Sequence, residues 1–144
     1  MIPFDFQPRT RIVFGPGKVG ALGELASGLG ARRALVVSDP HIVEVGHAGS
    51  GLASLEAAGL TTQLFSGVCE NPTTREVEAG VQCAKEFQPD LIVGIGGGSS
   101  MDCAKGINFL HSGGGRMQDY WGVGKATAPM LPMIAVPTTA GTGS

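Results

Sequence analysis

The stretch from Leu91 to Gly106, LIVGIGGGSSMDCAKG, limits what this chain can fold into more than any other. It opens on Leu91-Ile92-Val93, an apolar, branched run of the length expected of a strand buried on both faces. Gly96-Gly97-Gly98 follow, and then Ser99, Ser100 and Asp102-Cys103-Ala104-Lys105, which read as the first turn of a helix. Residues without Cβ let the backbone turn sharply and approach a ligand closely. A helix start offers unpaired N–H groups and the positive end of the peptide dipole. Together they form a cradle for an anion such as the pyrophosphate of a nucleotide. The plainer alternative is a glycine-rich turn that binds nothing, although three glycines in a row cost chain entropy with little packing in return.

This is not the usual dinucleotide fingerprint. Ser99 stands where a third glycine would be wanted, and the pattern lies well inside the chain. The usual fingerprint sits at the first βα turn, with an acidic residue about 20 positions later. Glycine is abundant throughout, 24 of 144 residues, against a typical ~7%. No three-residue period accompanies it, so the excess signals tight turns and close backbone approaches, not collagen. With 42% hydrophobic and 15% charged residues, the chain has the material for one globular domain. A formal charge of −2 leaves no basic footprint for nucleic acid or an acidic membrane. No apolar run nears the ~20 residues of a membrane span. Cys69, Cys83 and Cys103 show no paired spacing, so reduced thiols and a cytoplasmic location are expected.

Taken in order, Ile2–Phe6 and Arg11–Phe14 suggest a β-hairpin or extended arm, either docked on a second copy as a homodimer contact or folded back on its own domain. Gly15-Pro16-Gly17 leads into a helix over Lys18–Leu29 with Val19, Leu22, Leu25, Ala26 and Leu29 on one face. Ala34–Val37 reads as a strand closed by Ser38-Asp39-Pro40, and an acid there is informative because ligands of open α/β sheets sit at strand carboxyl ends. A helix over Gly51–Ala58 and a strand over Thr61–Phe65 follow. Asn71 reads as a helix cap with Pro72 at the first helical position, and Val77, Val81, Ala84 and Phe87 form that helix's inner face. After the glycine loop a helix runs through Ile107 to Ser112, residues 113–130 are loop-rich around Tyr120 and Trp121, and Met133–Val136 is a last strand. Strands alternating with helices predict an α/β fold, Rossmann-like and doubly wound, with a mainly parallel sheet and an N-terminal hairpin or arm.

Six segments, taken together, resemble one family. GGGSSMDCAKG at 96–106, PTTAGTGS at 137–144, SDP at 38–40, ENPT at 70–73, FGPGKV near the start and DYWG before the last strand are similar to the iron-containing (group III) alcohol dehydrogenases. The resemblance covers nearly all of residues 1–144, but only the amino-terminal, NAD-binding part of such enzymes. It implies that Gly96, Gly97, Gly98 and Ser99 are the pyrophosphate loop and that Asp102 lies near the nicotinamide end. Thr138, Thr139 and Thr142 would lie along the cofactor, and Asn71 would reach its adenosine part. Local explanations exist beside these roles: dipole complementation for Asp102, pairing of Lys105 with Asp102, turn bonds for the threonines and capping for Asn71.

A carboxylate at Asp39 can accept from the ribose hydroxyls of NAD and would repel the 2′-phosphate of NADP, so NAD preference is expected. The implied reaction is hydride transfer between a small primary alcohol or diol and NAD, giving an aldehyde. The family's Fe²⁺ ligands belong to a helical second domain with no counterpart here. His41, His47 and His111 lie in unrelated contexts, so no metal is assigned to this chain. A chain stopping on PTTAGTGS, directly after a strand, is expected to be part of a larger enzyme and inactive alone. A glycerol dehydrogenase, a dehydroquinate-synthase-like enzyme or a non-catalytic nucleotide-binding or dimerisation module are the competing readings.

Overall fold

The computed structural model describes residues 10–144. Four parallel strands form one sheet: β1 (Arg33–Val37), β2 (Thr61–Phe65), β3 (Leu91–Gly96) and β4 (Met133–Pro137), in the order β2-β1-β3-β4. The register pairs Val37 with Phe65, Val36 with Val93 and Gly96 with Pro137, so the carboxyl ends of β1, β3 and β4 lie along one edge. Five helices connect or precede them: α1 (Leu22–Gly28), α2 (Pro40–Glu44), α3 (His47–Ala57), α4 (Thr74–Phe87) and α5 (Gly98–Gly113).

All six residues of β3 are buried, as a central parallel strand requires. Alternate side chains divide the core into two layers. Ala34, Val36, Leu91, Val93 and Ile95 pack with Leu22, Ala26, Ala48 and Leu55 of α1 and α3. Leu35, Val37 and Ile92 pack with Val77, Val81, Ala84, Cys103 and Ile107 of α4 and α5. The doubly wound architecture is therefore present, with helices on both faces. Burial, and then the neighbouring Glu76 and Cys69, push the Cys103 thiol up to about 12, so it stays a protonated packing group.

Several local expectations are corrected. Arg11–Phe14 forms no strand, and Ile12 and Phe14 are 81% and 94% exposed; the other half of the expected hairpin, Ile2–Phe6, lies outside the described residues. The first helical segment opens as a 3₁₀ turn over Lys18–Ala21, and Leu29 sits past the end of α1, half exposed, not on its apolar face. Two helices, α2 and α3, occupy 40–57, where the sequence suggests one shorter helix.

Asn71 does not cap α4. Its φ of 51° is left-handed, whereas a cap residue needs extended backbone, and Thr73 supplies that. The Thr73 Oγ accepts from the Arg75 N–H at 3.3 Å, and Glu76 Oε2 accepts from the Thr73 N–H at 2.6 Å and its hydroxyl at 2.7 Å. Those bonds hold the Glu76 carboxyl below its ordinary 4.5. Because the folded value is the lower one, the unfolded chain takes up the proton first. The bond's contribution is therefore complete above pH 4.5 and is lost as pH falls through the folded value. Thermal melts should show Glu76→Gln less stable than the unmodified chain at neutral pH, with the gap closing on acidification. A gap that persists in acid would remove the carboxylate from the explanation.

Candidate functional site

Strand order β2-β1-β3-β4 places β1 beside β3, and chain connections leave this pair in opposite directions across the sheet. Such a switch point opens a crevice at the strand carboxyl ends. Ser38 closes its floor: its N–H donates to Phe65 O at 2.9 Å and its hydroxyl to Ile95 O at 2.8 Å. Beyond that floor lie two clefts of about 480 and 520 Å³, which share Glu70, Gly98 and Ser99 and so run together along the edge.

One wall is the start of α5. Gly97 is extended and helical geometry begins at Gly98, so the three glycines straddle the strand–helix junction. Asp102 therefore lies in the second turn, not the first; no acid occupies the first turn of this 16-residue helix. Helices α2 and α4, which begin at the same edge, are capped by the side chains of Asp39 and Thr73. Gly97, in the same position before α5, has no side chain to cap it with. Among the described residues, none claims the leading N–H groups of α5, which stand at the cleft and at the positive end of the helix dipole. Among the described residues lining the clefts there is no lysine or arginine. An anion held here would be held by backbone N–H groups and hydroxyls.

The loop after β4 covers this cradle. The Thr138 N–H donates to Gly96 O at 2.8 Å, extending the β3–β4 ladder beyond the strands. A Cβ on Gly97 would stand 3.6 Å from Thr139, and one on Gly98 would stand 3.3 Å from Thr142 Cβ. The threonines therefore lie directly over the glycines. Ser144 Oγ donates to Asp102 Oδ2 at 3.1 Å, tying the loop's far end to α5. Lys105 approaches the other Asp102 oxygen at 3.3 Å in an exposed pair, of the kind that contributes little. On the opposite side, the Asn71 N–H donates to Ser99 Oγ at 3.2 Å, which brings the turn before α4 to the cradle.

Asp39 stands at the end of β1. Its Oδ1 accepts from the Ile42 N–H at 2.9 Å and its Oδ2 from Ser100 Oγ at 3.0 Å. The ten expected residues, Asp39, Asn71, Gly96, Gly97, Gly98, Ser99, Asp102, Thr138, Thr139 and Thr142, thus meet at one edge, with Asn71 and Thr138 joined to it by hydrogen bonds from their backbone N–H groups. The sequence reading missed Ser100, fully buried against Asp39. Its signal was present: Ser100 shares the α5 stripe with Ala104 and Ile107, and a hydroxyl on an apolar stripe needs a partner.

Fold and cleft define a doubly wound α/β domain with an uncapped helix start at its switch point. The profile of the family described as iron-containing alcohol dehydrogenase matches residues 8–144. Alcohol dehydrogenase 4 of Schizosaccharomyces pombe is 42% identical over 132 residues, covering 92% of this chain and 31% of that protein. The NAD-dependent methanol dehydrogenase of Bacillus methanolicus is 38% identical over 132 residues, with coverages of 92% and 35%. Sulfoacetaldehyde reductase from Bifidobacterium kashiwanohense, solved in complex with NAD+, superposes with a TM-score of 0.86 at 30% identity, covering 99% of this chain and 38% of that one. The chain belongs to the iron-containing alcohol dehydrogenases. It spans about a third of the length of these curated relatives.

Iron does not fit the residues at hand. Among the described residues, no group of three or more His, Cys, Asp or Glu side chains could hold a metal ion. No described helix is long and apolar enough to cross a membrane.

Proposed function

We propose that residues 1–144 form the NAD-binding domain of an oxidoreductase acting on small primary alcohols or diols, R–CH₂OH + NAD⁺ → R–CHO + NADH + H⁺. The observation that carries this reading is the uncapped start of α5, beside a cleft whose described lining holds no lysine or arginine, at the sheet's switch point. Bound there, NAD⁺ supplies the hydride acceptor. The N–H groups of Gly98 and Ser99 suit the pyrophosphate. Hydroxyls of Ser99, Thr139 and Thr142 offer donors to phosphate or ribose oxygens, and Thr138 contributes through its place in the covering loop. The Asp39 carboxylate retains acceptor capacity for ribose hydroxyls beyond its two present bonds. Asn71 borders the same cleft on the side toward the adenosine, and Asp102 the side toward the nicotinamide. By holding the dinucleotide in one orientation, these residues supply the positional part of catalysis. Divalent iron would be held by residues outside this chain.

The B. methanolicus relative is named for NAD dependence and the B. kashiwanohense neighbour binds NAD+, which supports NAD as the coenzyme here. The exposed Ile12 and Phe14 support an arm that pairs with a second copy as a homodimer, and three free cysteines support a cytoplasmic setting.

Calorimetric titration of the chain with NAD⁺ and then NADP⁺ tests the proposal. Saturable NAD⁺ binding with markedly weaker NADP⁺ binding is expected. Failure to bind either dinucleotide would sink it.

A further inference from the structure

We propose that Ser100 is a positioning residue for coenzyme selection, acting by fixing the Asp39 carboxylate at the mouth of the cleft. The inference rests on the dinucleotide reading above. Ser100 lines neither cleft and is 0% exposed, so it makes no ligand contact itself. A serine inside a helix commonly turns its hydroxyl to the carbonyl four residues back. Here that carbonyl, Gly96 O, is engaged by the Thr138 N–H at 2.8 Å, and the hydroxyl donates across the sheet to Asp39 Oδ2 at 3.0 Å.

The contact requires close approach of three elements. Gly96 has a φ of +145°, and a Cβ there would lie 2.9 Å from Ser100 Cβ and 3.1 Å from Asp39 Oδ2. The end of β3, the first turn of α5 and the end of β1 therefore meet at one joint that only a residue without a side chain can fill. This joint connects the element expected to hold the pyrophosphate with the one expected to read the ribose.

Its effect on Asp39 follows from counting bonds. Each carboxylate oxygen has one protein donor: the Ile42 N–H on Oδ1 at 2.9 Å and the Ser100 hydroxyl on Oδ2. Two donors at opposite ends fix rotation about the Cβ–Cγ bond, a torsion that is otherwise broad. The acceptor directions left for a ribose diol are then set before any ligand arrives, which lowers the ordering cost of binding. With the hydroxyl removed, the carboxylate hangs on the Ile42 bond alone. It can swing away from both the diol of NAD and the 2′-phosphate of NADP, and discrimination falls while the charge remains.

The test is calorimetric titration of the chain and its variants Ser100→Ala, Ser100→Thr and Asp39→Gly with both coenzymes. Ser100→Ala is expected to lower the NAD⁺-to-NADP⁺ affinity ratio by about tenfold, as loss of a charge-assisted hydrogen bond permits. Ser100→Thr, which keeps the hydroxyl, should retain the ratio. If Ser100→Ala abolishes the melting transition, Ser100→Cys, of similar shape and weaker donor strength, takes its place in the same comparison. An unchanged ratio, or an equal loss of affinity for both coenzymes, would overturn the role of Ser100 and leave the reading of the cleft standing. Binding of neither coenzyme by the unmodified chain would remove the reading of the cleft, and this inference with it.

Discussion

Replacing Asp39 with glycine is expected to raise NADP⁺ affinity by between about tenfold and a hundredfold and to weaken NAD⁺, erasing or inverting the preference. Two effects act together. A carboxylate within a few ångströms of a 2′-phosphate is repelled by roughly 1–4 kcal/mol per unit charge pair, depending on how much water screens it. Glycine also frees space and removes the acceptor for the ribose hydroxyls. Structural damage should be small: Asp39 caps only the five-residue α2, and glycine at a cap position costs a few tenths of a kcal/mol. Its loss does leave the buried Ser100 hydroxyl without its acceptor, at about 1–3 kcal/mol of stability. The measurement is therefore the affinity ratio from paired titrations of a variant whose melting transition is intact. An unaltered ratio would show that Asp39 serves as a cap and an anchor for Ser100 and does not read the coenzyme.

The second large effect concerns stability. Gly23 of α1 packs against the backbone of α3: a Cβ there would run into the Ser54 carbonyl and come within 2.7 Å of Ala58 Cβ. The same crossing is stitched by Ser54, whose hydroxyl accepts from the Gly23 N–H at 3.0 Å and donates to Gly20 O at 2.8 Å. A backbone carbonyl in a helix cannot move aside as a flexible side chain can, so α1 must lift off. Gly23→Ala should cost about 3 kcal/mol, at the upper end for overpacking, and lower the melting temperature by roughly 10 °C. Gly49, in the exposed face of α3 with nothing near its missing Cβ, provides the control. Gly49→Ala should be neutral or stabilise by up to about 1 kcal/mol. Similar melts for the two variants would show that the α1–α3 crossing adapts.

Much of the fold was legible because the relevant forces are local or periodic. The apolar runs at 34–37, 61–65, 91–95 and 133–136 became the four strands within a residue of their ends. Gly96-Gly97-Gly98 announced a strand–helix junction, since nothing else explains that local entropy cost. Helix starts were less legible, because several residues compete to cap. Asn71, Thr73 and Glu76 all suit an α4 start, and the left-handed turn at Asn71 decided for Thr73. The first turn of α5 slid from Asp102 back to Gly98 for a similar reason: glycine disfavours helix intrinsically, yet here the tight turn out of β3 carries the helix straight from Gly97.

By itself the sequence determined the alternation of strands and helices, the family, and a set of candidate residues that gather at one edge of the sheet. Only the tertiary structure decided how they are joined. Strand order puts β1 beside β3, and that adjacency brings residues 61 positions apart, Asp39 and Ser100, to a 3.0 Å hydrogen bond. Periodicity reports which side of an element is apolar, but not which element lies opposite. The partner of a buried hydroxyl, here the half-buried Asp39 carboxylate, is therefore fixed by packing alone.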